Sequence, residues 1–192
     1  LRLMLATNSE WAAPVSLTDR RYFVLDVSNS RKNDHDFFKQ LIYEQNNGGR
    51  EALLQVLMDF DLSDFEVRSI PETPARLDQK FLSMKMIQKW WFDVLCDEDF
   101  TIGEKVLDLD NYNRIVISDL TTSFDEYAKE HNPKHRLWSV RRFCGQFRKL
   151  VSNVDVKRNG SGPREYKFPS LNECKLFFAD KYSLDSDVFE IN

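Results

Sequence analysis

The chain has 192 residues, 42% of them apolar and 13% aromatic, with 27 Lys/Arg against 31 Asp/Glu and a formal net charge of −4. That composition is ample for one or two packed domains and argues against a disordered chain. No apolar run reaches the length of a membrane span and the first residues form no basic leader with an apolar core, so an intracellular location is expected.

Residues 1–28 read as two strands, Arg2 to Thr7 and Tyr22 to Val27, joined by a loop around Pro14 and Asp19-Arg20-Arg21. A chain that opens inside a strand is expected to be a piece of a longer polypeptide. Phe37, Phe38, Leu41 and Ile42 follow the Asn33-Asp34 start at helical spacing, and Asn47-Gly48-Gly49 stops that helix. Ala52, Leu53, Val56, Leu57 and Phe60 mark a second helix. After an extended Phe65 to Ile70 and the breaks at Pro71 and Pro74, Leu77, Phe81, Met84, Trp91 and Val94 predict one long helix to about Leu95. Residues 29–100 therefore read as an all-helical subdomain, and the polar, acidic stretch that follows, residues 101–113, as a linker.

Beyond the linker, Arg114 to Ile117 is a short β-branched strand. Ser118 or Asp119 can cap a helix carrying Leu120, Phe124 and Tyr127, which Pro133 ends. Ser139 caps the next helix, with Val140, Phe143, Cys144, Phe147, Leu150 and Val151 on one face and Arg141, Arg142, Arg148 and Lys149 on the other. Val154 to Phe168 reads as strand, flexible tip, strand, and Ser170-Leu-Asn-Glu173 as a capping box opening a last helix. Strand, helix, helix, two-stranded wing, helix is a winged-helix plan over residues 114–182, with residues 183–192 as a tail. Its own apolar set, among them Ile115, Leu120, Phe124, Phe143, Phe147 and Phe168, predicts a unit that folds alone.

Charge singles out the same region. Lys134 to Lys167 holds ten Lys/Arg and two acids, a formal +8 in a chain whose remainder sums to −12. Such an island can be a solvated face, but on a patterned helix followed by a Gly-rich hairpin it points to a polyanion, with nucleic acid first. The candidate DNA-binding residues are Arg141, Arg142, Arg148 and Lys149 on the helix and Lys157, Arg158, Arg164 and Lys167 on the wing. Gly145, central on the basic face, either admits a close backbone approach or makes room for a packing neighbour. Tyr166 either stacks on a base or sits in the core.

Other chemistry is poorly supported. Cys96, Cys144 and Cys174 are widely spaced, which suits neither a disulfide framework nor a four-cysteine zinc site, and Cys144 and Cys174 read as core. His131 and His135 are separated by Pro133, so no metal site is expected there. Asp59-x-Asp61-x-Ser63 and Asp108-x-Asp110 lack the Gly and Glu of a calcium loop. Gly-x-Ser-x-Gly, His-Glu-x-x-His and Walker A patterns are absent from the sequence.

Leu3-Met-Leu-Ala-Thr-Asn8-Ser-Glu-Trp11, followed by Pro14 and Asp19-Arg-Arg-Tyr-Phe-Val-Leu-Asp-Val-Ser28, resembles the end of the superfamily 3 helicase core in phage and plasmid primase-helicases. Residues 47–54, 61–65 and 89–93 resemble the helical region that follows that motor, and residues 114–178 its C-terminal winged helix, so the likeness covers nearly the whole chain. The resemblance implies a mostly α fold with small β parts: the last strands of an AAA+ core, a helical subdomain and a winged helix-turn-helix. It also implies that Asn8 is the sensor residue and that Arg20 or Arg21 is the finger that stabilises charge on a neighbour's transferring phosphate. ATP and Mg would belong to the parent protein, none to this fragment, which should be inactive alone. The implied partners are DNA and a homo-oligomeric ring, with no membrane, in the cytoplasm of a bacterial host. Two rival readings stand beside it: a free-standing winged-helix regulator and a module that docks a replication partner.

Overall fold

The structure is a computed structural model that describes residues 3–19, 21–66, 69–71, 73–108, 114–151, 154–158 and 160–189. It is mixed α/β with two small antiparallel sheets. The chain divides into two compact units, residues 1–19 with 79–192, and residues 20–78. The expected boundaries at 28, 100, 113 and 182 do not coincide with this division.

The smaller unit carries α1 (His35–Glu44) and α2 (Arg50–Asp59). Asp34 caps α1, its carboxylate accepting from Phe37 N at 3.0 Å and pairing with Arg31 at 2.9 Å. Both interactions hold the Asp34 carboxyl below its ordinary range, the backbone hydrogen bond first. The helical path bends at Asn47 and Gly48, where φ of +94° suits glycine, and resumes as α2. The expected apolar stripes are present, but neither helix buries a residue, and Leu53, Leu54, Val56 and Leu57 are each about 60% exposed.

Residues 3–7 and 22–27, expected as strands, are not strands. Both lack strand pairing, and Leu3, Met4, Leu5, Phe23, Leu25 and Val27 are exposed. A strand is defined by its neighbours, and no neighbouring strand pairs with these runs among the described residues. Further along, Gln79 fixes the chain, its side chain accepting from Ala12 N at 2.8 Å and donating to the Glu10 carbonyl. Val15 and Leu17 are buried beyond that clasp.

The expected long helix is two, α3 (Pro74–Leu82) and α4 (Met86–Asp97), with the break at Ser83 to Lys85. Gln88 opens α4 by accepting from Lys85 N at 2.8 Å. Ile87, Trp90, Trp91, Val94 and Leu95 recur at i, i+3, i+4, i+7 and i+8 and are all buried. Their ring partners lie on α5, on α6 and just past β5. The Trp91 ring lies 4.9 Å from Phe147 and 5.7 Å from Phe168, and Trp90 lies 5.7 Å from Phe143 and 5.8 Å from Phe124.

The expected linker is ordered in its described part. Asp99–Ile102 (β1) and Lys105–Asp108 (β2) form a hairpin turned at Gly103, whose φ is +58°. Phe100 anchors it in the core, and Gly103 N donates to Glu126 at 2.9 Å. Residues 109–113 lie outside the described set. The second sheet has the order β3-β5-β4, from Arg114–Val116, Arg164–Lys167 and Asp155–Arg158, all antiparallel. α5 (Ile117–His131), α6 (Val140–Phe147) and α7 (Leu171–Tyr182) complete the unit. α5 begins earlier than expected, so Ser118 and Asp119 sit in its first turn and Val116 at its N-cap provides no side-chain hydrogen bond. Ser139 caps α6 and the Ser170/Glu173 box opens α7. The residues expected as a tail also contribute, since Val188 and Phe189 are buried in the same core.

Candidate functional site

A groove of about 700 Å³ opens between the start of α5, one face of α6 and the wing. Its lining is of two kinds. Val116, Val140, Val156, Pro163 and Gly145 supply apolar surface, and Arg141, Arg148 and Arg164 supply positive charge. No acidic side chain lines it among the described residues.

The α6 geometry explains which arginines arrive there. Arg141, Cys144, Gly145 and Arg148 fall at i, i+3, i+4 and i+7, one stripe of the helix. Arg142 lies off that stripe and sits over the Trp138 ring, 4.3 Å from its centroid, a cation–π contact. Arg164 comes from β5 and pairs across the ladder with Arg158 of β4.

The loop that sets α6 in place is held by Asp125, a buried carboxylate of α5. Trp138 N donates to both of its oxygens at 3.1 Å, and His135 Nε2 lies 2.7 Å from Oδ1. Phe124 packs on the rings of both Trp138 and His135. A buried carboxylate holding three such contacts is costly to disturb, because removing it leaves a buried amide without a partner.

Below the groove, Tyr166 is fully buried, paired across the sheet with Ile115 and Val156. Burial pushes its pKa up to about 12; neighbouring Cys144 adds to the rise and Arg148 opposes it. Its hydroxyl meets no hydrogen-bond geometry, although Cys144 and Arg148 stand beside it.

No family model, curated protein or solved structure matches the chain.

The sequence-derived residues distribute as follows. Arg141, Arg148 and Arg164 meet in the groove. Lys157 and Arg158 are exposed on β4, Lys167 is partly buried on β5, and Lys149 is exposed just past α6. The Lys149 carbonyl accepts from Lys181 Nζ. Cys144, expected in the core, lines the groove half-buried, because it shares the α6 stripe of Arg141, Gly145 and Arg148. Tyr166 belongs to the core. Gly145 has no packing neighbour among the described residues: a Cβ built there meets none of them within 4 Å.

Asn8 is exposed on irregular chain in the larger unit, and Arg21 is exposed in the smaller one. Arg20 lies outside the described residues. His131 and His135 have separate partners, the Tyr127 carbonyl and Asp125. Asp61 closes a local turn on Ser63 N at 2.9 Å. The described residues contain no group of three or more His, Cys, Asp or Glu that could hold a metal ion, and no helix long and apolar enough to cross a membrane. Asp125 was missed by sequence reasoning. The short spacing of His135 and Trp138 after it was the available signal.

Proposed function

We propose that residues 86–189 form a winged-helix module that binds DNA, and that the chain acts as the C-terminal part of a phage or mobile-element primase-helicase. The order β3, α5, α6, β4-β5 hairpin, with β3 pairing to β5 and α4 and the separate β1-β2 hairpin preceding it, supports the winged-helix reading. In this reading α4 is the first helix of the module, which explains why its tryptophans face the recognition helix α6.

The observation that carries DNA binding is the convergence of Arg141, Arg148 and Arg164 on one groove whose described lining has no acid. Guanidinium groups match phosphate oxygens in a two-pronged geometry, and each neutralised phosphate releases condensed counterions. Lys157, Arg158 and Lys167 extend the positive surface along the wing, and Arg142 and Lys149 along α6. Fold alone does not choose the ligand, so the charge pattern bears the weight.

The helicase assignment is supported by the sequence resemblance alone, since residues 3–7 and 22–27 are not paired as strands. It would place the protein in a homo-oligomeric ring in a bacterial host's cytoplasm. ATP and Mg belong to the rest of such a motor. The described residues here supply no phosphate-binding loop, and Asn8 and Arg21 stand exposed in separate units, so no step through the nucleotide is drawn from them.

The test is a salt titration of DNA binding by the full chain and by Arg141→Ala/Arg148→Ala/Arg164→Ala, followed by fluorescence anisotropy. With three phosphate contacts gone, the slope of log affinity against log salt should fall by about 2–3, as about 0.9 is lost per duplex contact and about 0.7 per single-strand contact. An unchanged slope and affinity in a folded triple variant would remove the DNA-binding reading.

A further inference from the structure

We propose that the groove holds an unpaired nucleotide, making single-stranded DNA the preferred ligand of this face. The inference rests on the DNA-binding reading and narrows it. A surface that only tracks a phosphate backbone needs exposed cations and no concavity. Here Arg141, Arg148 and Arg164 share the lining of one groove with Val116, Val140, Val156 and Pro163. A phosphate gains nothing from the apolar part of that lining, and an apolar peptide gains nothing from three arginines. A nucleotide uses both, its base against the aliphatic surface and its phosphate against the guanidinium groups.

Size agrees with the chemistry. The groove is half open, and its volume of about 700 Å³ is room for one nucleotide, small-ligand sites running to roughly 300–1,000 Å³. A paired base is shielded inside its duplex, so a duplex would reach only the rim, whereas an unstacked base can be turned into a recess. No aromatic side chain lines the groove among the described residues, so base contact would rest on aliphatic packing and on stacking against arginine.

Gly145 points the same way. A glycine inside a helix costs about 1 kcal/mol relative to alanine, and no neighbour among the described residues requires it, since a Cβ there would meet none of them within 4 Å. The space above it belongs to the groove. The first turn of α5 adds Ser118 to the lining.

The experiment uses the full chain, Gly145→Leu and, as an independent block, Val156→Glu on the exposed wing strand. The probes are a labelled single-stranded oligothymidylate and a labelled duplex of equal length, at matched salt. Far-UV circular dichroism and tryptophan fluorescence check folding; all four tryptophans, Trp11, Trp90, Trp91 and Trp138, lie in the unit that bears the groove. The native chain should bind the single strand more tightly than the duplex. Gly145→Leu should weaken single-strand binding about tenfold while leaving duplex binding within about twofold. Val156→Glu should weaken the single strand similarly. Equal or stronger duplex binding by the native chain, or single-strand affinity untouched in both folded variants, overturns the proposal and leaves DNA binding standing. Failure of the native chain to bind either probe overturns both.

Discussion

Cutting the chain before β3 separates the basic region from α4, β1 and β2. The excised residues 114–192 keep every basic groove residue but lose Ile87, Trp90, Trp91, Val94, Leu95 and Phe100, none more than 5% exposed in the intact unit. Truncating a buried Trp or Phe costs about 3–5 kcal/mol and a buried Leu or Ile about 2–5. Losing six such side chains exceeds the total stability of an ordinary domain, about 5–15 kcal/mol. Residues 114–192 should therefore be unfolded, against the expectation from their own apolar set, whereas residues 79–192 should unfold cooperatively in urea. Circular dichroism at matched concentration reads the difference. A graded version is Trp91→Ala in the full chain, which removes the partner of the Phe147 and Phe168 rings at 4.9 and 5.7 Å. It should destabilise the larger unit by about 3–5 kcal/mol. A sigmoidal transition for residues 114–192, or a Trp91→Ala loss below about 1 kcal/mol, would show that α4 is not part of this core.

Three further outcomes are expected. Gly145→Ala should raise the urea midpoint by up to about 1 kcal/mol equivalent, since a methyl meets no atom there and alanine is the better helix former; a fall would mean that the fold does need the glycine. At mildly alkaline pH an alkylating reagent should label Cys96 and Cys174 slowly, because burial pushes Cys96 up to about 11 and Cys174 up to about 12 and so starves both of thiolate; bound single-stranded DNA should slow reaction at Cys144, which lines the groove. Fast labelling of Cys174 would contradict the packing of α7. Tyr166 ionises near its ordinary value of 10 when the chain is unfolded and at about 12 when folded, so its stabilising share is complete below pH 10 and lost as pH rises toward 12. Tyr166→Phe should flatten that alkaline loss in part, Tyr127 and Tyr182 being raised as well, and identical slopes would refute the assignment.

Local signals were legible where one residue type decides one geometry. Ser139 and the Ser170/Glu173 box mark their helix starts because a short side-chain oxygen is the natural partner of a free first-turn N–H. The wing is readable from its small, polar tip between alternating strands. What a helix packs against is not readable in that way. The Ile87 to Leu95 stripe announces a buried face, but its period says nothing about whether α1 and α2 or α6 and β5 will cover it. The hairpin at 99–108 was hidden by composition: its acids and Lys105 alternate with only Phe100, Ile102 and Leu107 inward, a balance that resembles a linker. The opposite error occurred at 3–7 and 22–27, where apolar runs suggest strands although strand pairing depends on other segments. In the groove, charge was legible and shape was not. Arg141, Arg148 and Arg164 stood out as bases, but only the fold separates them from Arg142, which is committed to Trp138.

The order β3-β5-β4 also fixes when the groove can exist during synthesis. The central strand of the sheet is the last of the three to be made. At about 5–20 residues per second, roughly fifty residues separate β3 from β5 and delay their pairing by about 2–10 s. Until then β3 and β4 have no shared neighbour, and α6 displays its arginines on an unwalled surface. A nascent chain halted before Lys167 would carry the charge of the site without its form, able to attract polyanions such as ribosomal RNA but not to discriminate among them.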